Sequence, residues 1–304
     1  VTAAPIHLPR QDALKGGLYM AIAMAGFVSN DTLMKLLSSD LPVGTMIFWR
    51  GAFASLVLLT VLTVSGSLAR LPMIASGKVL VRSLVDAIAT VLFISALVHM
   101  PIANLTSICH AAPLVVTALA AIFLKERVGW RRTTAITAGF LGVMLIMRPG
   151  IGGFDKYALM GIGVVAGVAV RDILTRRIPV SIPALVVALA NSLLVMAAAL
   201  AIALFEGGLI VPQTTQLLTL AAAGVFLSLG YLFMVQALRH ADISTSATIR
   251  FTGVLWALLS GTFVFHELPD GYALAGIVMI VASGIYALHR EAKLARAERL
   301  QPPR

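Results

Sequence analysis

Ten apolar runs, each about as long as a bilayer is thick, constrain this chain more than any other feature. They cover about 14–36, 42–65, 79–98, 101–124, 132–148, 157–177, 182–205, 215–238, 242–264 and 270–289. A helix needs about 20 mostly apolar residues to cross the hydrocarbon. Lipid offers the backbone no hydrogen-bond partner, so each run must fold as a helix that satisfies its own N–H and C=O groups. The third and fourth runs nearly touch, and Pro101 suits the first turn of a new helix. Hydrophobic residues make up 59% of the chain and charged ones 12%, against about 45–50% apolar in an ordinary soluble domain. The expectation is an all-α polytopic membrane protein with ten transmembrane helices.

The formal net charge is +10. On a soluble protein such a charge suggests nucleic acid, but here the bases sit between apolar runs, so no nucleic-acid partner is expected. With the N-terminus inside, 18 of the 23 Lys and Arg fall on the inner side. Lys35, Arg148 and Lys156 fall outside, and Arg50 and Arg250 lie deep in the spans. The positive-inside rule then places both termini in the cytoplasm of a multi-pass protein of the bacterial inner membrane. No cleavable signal peptide is expected. The single Cys109 excludes an intrachain disulfide.

The chain also repeats itself. Residues 25–35 read AGFVSNDTLMK and residues 166–176 read AGVAVRDILTR, so Asp31 and Lys35 fall on Asp172 and Arg176 at an offset of 141. The same offset relates Pro42 to Pro183, Gly66 to Gly207, His99 to His240 and Glu126 to Glu267. Two copies of five spans follow, 14–150 and 156–290, with a charged cytoplasmic tail at 291–304. Five is odd, so the second copy enters the membrane from the opposite side. Such inverted repeats place a site near the midplane and rock about it in alternating access.

Ionisable groups deep in lipid face a bundle interior or a watery cavity. Asp31 with Lys35, and Asp172 with Arg176, lie four apart on one helix face, either as neutralised interfacial pairs or as gate latches at opposite mouths. Arg50 pairs with Asp31 or meets substrate. Arg250 pairs with Asp172 or Asp86, or holds a substrate carboxylate through its planar fork. His110 is a packing residue or a proton carrier. Asp86 is a counter-ion or a protonatable coupling group. Thr90, Ser228 and Tyr231 are polar at middle depth and suit a cavity wall. Trp256 packs against neighbours or lipid, or stacks on a substrate side chain.

The segment LTSICHAAPLVVTALAAIFLKERVGWRRTTAITAGFLGVMLIM (105–147), with Pro113 in mid-helix, resembles the hallmark of the EamA-type drug/metabolite transporter (DMT) superfamily. FHELPDGYALAGIVMI (265–280) is a weaker second copy, and elsewhere in the second repeat Val254 and Asn191 stand where Pro113 and Arg50 stand in the first. Within the superfamily the chain looks like the bacterial YddG-type amino acid exporters. The resemblance implies export of aromatic and other neutral amino acids through a cavity lined by spans one, three, four, six, eight and nine. Other metabolites or drugs are the alternative cargo, and a polytopic enzyme acting on lipids is a more distant one. No GxxxxGK[ST], HExxH, GxSxG or Cys/His cluster occurs, so no catalytic residue, metal or cofactor is expected. The partners expected are a small-molecule substrate and the lipid bilayer, and a monomer is compatible with the sequence.

The charge distribution makes topology directly testable. In a C109A background, membrane-impermeant maleimide should label a cysteine placed at Asp40 in intact cells and miss one placed at Lys293. Labelling at Lys293 would overturn the ten-span map.

Overall fold

The computed structural model of the chain describes residues 10–112, 114–115, 130–147, 156–175, 177–179, 181–240 and 249–299. Among these residues it is all helical, with no strand. The helices are α1 (Arg10–Leu36), α2 (Val43–Val64), α3 (Gly77–Leu97), α4 (Ile102–Cys109) and α5 (Trp130–Met147), then α6 (Lys156–Thr175), α7 (Ala184–Phe205), α8 (Thr214–His240), α9 (Thr252–Val264) and α10 (Gly271–Arg299). Each falls on one apolar run. Val43–Val64, Gly77–Leu97, Ala184–Phe205 and Thr214–Ala237 are, by length and hydropathy, the four described helices able to cross a membrane. Shorter apolar helices occupy Thr133–Met147, Thr252–Val264 and Gly271–Ala287. α1, α4 and α6 fall outside both groups, α4 because it is only eight residues long. A 3-10 helix at Leu68–Ala75 follows α2, where the sequence suggested only a connection.

Local sequence explains why matching helices start and stop alike. Pro42 and Pro183 precede α2 and α7 with extended ψ of 149° and 142°, as a residue at a helix entrance does. Both helices end at glycines with positive φ, 67° at Gly66 and 109° at Gly207. There Ser67 N–H donates to Leu62 O, and Gly208 N–H donates to Ala203 O. This six-to-one bond is the Schellman closure that a left-handed glycine permits. Each member of one set lies 141 residues from its counterpart in the other.

Packing repeats the relation. The broadest interfaces join α1 to α8, α3 to α6, α2 to α7 and α5 to α10, with α4 against α9. Exchanging each helix for its counterpart five later maps these pairs onto themselves. Gly26 of α1 lies against Phe226 O and Gly230 of α8, while Gly167 of α6 lies against Ala89 of α3. These are the same contact at the 141-residue offset, and each needs a residue without Cβ to let the helices approach. At the centre, Ser192 Oγ donates to Gly51 O over 3.1 Å, a contact between equivalent positions. Met34, Met46, Ile47, Leu97, Leu105 and Ile108 fill the core. Leu56, Leu204, Phe205 and Phe263 point outward and are exposed, as lipid-facing side chains are.

A Cβ on Gly26 would sit 2.9 Å from Phe226 O, whereas one on Gly77 would meet nothing within 4 Å. Gly26→Val should therefore lower stability by about 1–3 kcal/mol. Gly77→Ala should leave it unchanged, with both read as melting temperature in detergent.

Candidate functional site

Two helices break at matching places. α4 stops at Cys109, turns at His110 and Ala111, and resumes at Ala112. α9 begins at Thr252 after a turn at Arg250 and Phe251. At the 141-residue offset His110 is the counterpart of Phe251, and the two rings lie 5.3 Å apart. His110 bridges the two breaks through carbonyls that also accept backbone N–H groups, Thr106 O from His110 N and Arg250 O from Gly253 N. Its Nδ1 lies 2.8 Å from Thr106 O and its Nε2 2.9 Å from Arg250 O. A neutral imidazole has one N–H and donates to one of these carbonyls; an imidazolium donates to both. Pro113, the expected cause of the first break, lies outside the described residues. The second break forms without proline at its counterpart, Val254.

Beside the breaks lies a cavity of about 490 Å³ between the two halves. Thr90, His110, Tyr231 and Arg250 all line it, as do Asp31, Arg50, Asp86 and Asp172. Tyr231 stands edge-on to Phe27 at 5.3 Å. Ser228 and Trp256 are not in the lining. Ser228 is fully buried between helices, its hydroxyl directed at Gly224 O and Ala54 O. Trp256 lies 40% exposed on the outer face of α9.

The charged residues pair differently from the sequence expectation. Lys35 turns away from Asp31. Its Nζ donates to Glu267 Oε1 over 2.6 Å and to Met100 O over 2.8 Å, and it lies over the Phe265 ring. Lys35 sits one turn beyond Asp31, outside the cavity, so this cluster ties α1 to the α3–α4 and α9–α10 connections at one end of it. Lysine is long enough to reach across helices, and Lys35 pairs with an acid on another connection in place of the i,i+4 partner. Glu126 and Arg176, the counterparts of Glu267 and Lys35, lie outside the described residues.

Asp86 and Asp172 are occupied by other arginines. Arg171 Nη1 reaches Asp86 Oδ1 at 3.0 Å, and its Nη2 reaches Asp172 Oδ1 at 2.9 Å. Arg82 Nη1 meets Asp86 Oδ2 at 3.3 Å. Arg82 and Arg171 were counted in the sequence only as cytoplasmic charge. Two signals could have found them: the i,i+4 spacing of Arg82 and Asp86, and the position of Arg171 at the counterpart of Asn30. Asn30 Nδ2 donates to Asp31 Oδ1 over 2.8 Å, the neutral version of the Arg171–Asp172 contact.

Arg50 and Arg250 then lack the acids the sequence offered them. Among the described residues neither guanidinium makes a hydrogen bond or an ion pair. Arg50 is 4% exposed, and its Nε has no acceptor. Asp31 lines the same cavity and makes no ion-pair contact with Arg50 among the described residues. Arg250 is open to the cavity.

Fold and cavity together define a helical multi-pass membrane protein built around a central chamber with charged side chains in a largely apolar wall. The EamA-like transporter family model matches residues 14–148 and 155–288, and the chain belongs to this family. It is similar to the pseudopaline exporter CntI of Pseudomonas aeruginosa, 29% identical over 293 residues, covering 93% of this chain and 99% of that protein. It is also similar to a riboflavin transporter of Vibrio cholerae, 27% identical with 94% and 97% covered. A third relative is an S-adenosylmethionine uptake transporter of Rickettsia conorii, 23% identical with 93% and 96% covered. A crystal structure matches with a TM-score of 0.65 at 17% identity, covering 93% of this chain and 99% of the other, and supports the fold. The family is one of transporters, and the chain is not an enzyme.

Asp86 is the hub of the charged network. Asp86→Leu should cost about 3–5 kcal/mol, because it leaves Arg82 and Arg171 to share Asp172 in a low-dielectric interior. Asp86→Glu should recover part of the loss in melting temperature.

Proposed function

We propose that this protein is a secondary transporter that exports small amino-acid-like metabolites across the bacterial inner membrane. In this reading the two family repeats are inverted five-span units, ten spans in all, with both termini cytoplasmic. The observation that carries the reading is the cavity of about 490 Å³ at the junction of the repeats, lined by two arginines that have no acid partner among the described residues. Its size lies in the range of small-molecule sites, roughly 300–1,000 Å³. Broken helices at the midplane are the usual place for a transporter to bind cargo. The P. aeruginosa relative, whose name is that of an exporter, supports outward transport. Aromatic and other neutral amino acids are the narrower reading from sequence resemblance.

The lining supports an inward-facing state. On the proposed topology it runs from the midplane residues Arg50 and Val164 toward Leu58, Arg82 and Thr175 in the cytoplasmic half. The Lys35–Glu267 cluster closes the outer end. Rocking the repeats would open that end and exchange their conformations.

Everted membrane vesicles containing the protein should accumulate unmodified amino acids with saturable kinetics. Saturating cargo should slow thiol modification of Cys109, the chain's one cysteine and a cavity residue. Chemical alteration of the cargo, or linear, non-saturable flux, would overturn the reading.

A further inference from the structure

The cavity carries unbalanced charge, and the imbalance specifies a ligand. Its described lining holds Arg50, Arg82, Arg171 and Arg250 against Asp31, Asp86 and Asp172, four formal cations to three anions. Arg82, Arg171, Asp86 and Asp172 neutralise one another through direct contacts. What remains facing the chamber is Arg50, Arg250 and Asp31, a formal excess of one positive charge. A permanent cation in a low-dielectric site needs an anion, and a guanidinium fork fits a carboxylate best.

The unpartnered atoms point the same way. Arg50 Nε is a buried donor without an acceptor, and Asn191 Oδ1 is a buried acceptor without a donor. Both residues line the cavity, both are at least nine-tenths buried, and they occupy equivalent positions at the 141-residue offset. One repeat thus presents a donor and the other an acceptor across the same centre. Asp31 accepts only the Asn30 amide among described residues and adds a negative group.

From this geometry we infer that the preferred cargo is an amino dicarboxylate, with one ammonium and two carboxylates and a net charge of −1. Arg50 holds one carboxylate and Arg250 the other. Asp31 and Asn191 Oδ1 receive the ammonium. Bound cargo then brings the chamber to neutrality, which a zwitterion with one carboxylate does not. The volume admits chains longer than that of glutamate. This inference rests on the transport reading above and names an acidic cargo in place of the neutral amino acids that the sequence resemblance implies.

The test is counterflow in proteoliposomes with radiolabelled L-glutamate and L-2-aminoadipate against their neutral ω-amides, L-glutamine and L-homoglutamine. The acids should exchange at least about tenfold better than the amides, the discrimination expected when one charge-assisted contact is lost. R50Q and R250Q should each collapse that ratio toward one. R50K and R250K, which keep the charge but lose the fork, should give intermediate ratios and guard against a variant that fails to fold. D31N should erase the preference for aminoadipate over adipate, which lacks the ammonium. Amides moving as well as acids would overturn the inference and leave the transporter standing. An acid preference that survives in both R50Q and R250Q would also overturn it. No saturable exchange of any of the four amino acids would remove the amino-acid reading itself.

Discussion

The rest of this structure depends on one constraint: a charge at membrane depth must have a partner or an aqueous chamber. Asp86 shows how the protein meets it. The carboxylate receives Arg82 from its own helix and Arg171 from the facing one, so a single buried acid ties α3 to α6. Asp172 takes the second branch of Arg171. Such a network gains little net stability over an apolar interface, but breaking it is costly. It also removes two arginines and two aspartates from the pool available to cargo. Arg50 and Arg250 stand out because this network is complete without them.

The same constraint acts unevenly on the two repeats. The crossing of α3 and α6 holds four charges. Its counterpart, the crossing of α1 and α8, has Ala223, Leu227, Asn30 and Asp31 at the matching positions. Backbone-level features are kept in both copies: the entry prolines, the closing glycines, the close approaches at Gly26 and Gly167, and the helix breaks near His110 and Arg250. Side-chain chemistry is not kept. Close packing depends on the absence of a Cβ, which symmetry demands at both sites, whereas one cavity needs only one set of polar groups. A duplicated frame therefore encloses a chamber with distinct walls, and an asymmetric cargo can lie in it in one orientation.

Much of this was legible in the amino-acid order. Apolar run length and the lack of backbone partners in lipid determined that the chain is helical. The 141-residue offset determined which helices correspond. Depth along each run marked Thr90, His110, Tyr231, Asp86, Arg50 and Arg250 as interior candidates, and all six line one cavity, as do Asp31 and Asp172, which the sequence placed at opposite mouths. Depth does not specify azimuth. Ser228 and Trp256 lie at equally suitable depths but face a helix interface and the outer surface, because a helix turns its residues through 100° at each step.

Pairing between distant segments was decided by the tertiary structure alone. Sequence spacing offered Lys35 to Asp31, and Asp86 or Asp172 to Arg250. Long side chains reach across interfaces, so a partner on a facing element can outweigh an i,i+4 relation worth a few tenths of a kcal/mol on an exposed surface. Lys35 went to Glu267, 232 residues away, and Asp86 went to Arg171, 85 residues away. The sequence by itself determined a duplicated, lipid-embedded bundle with charges in its interior. Only the packing of α3 on α6 and of α4 on α9 decided which charges cancel and which are left facing the chamber, because a Coulomb interaction depends on the distance between side chains and not on their separation along the chain.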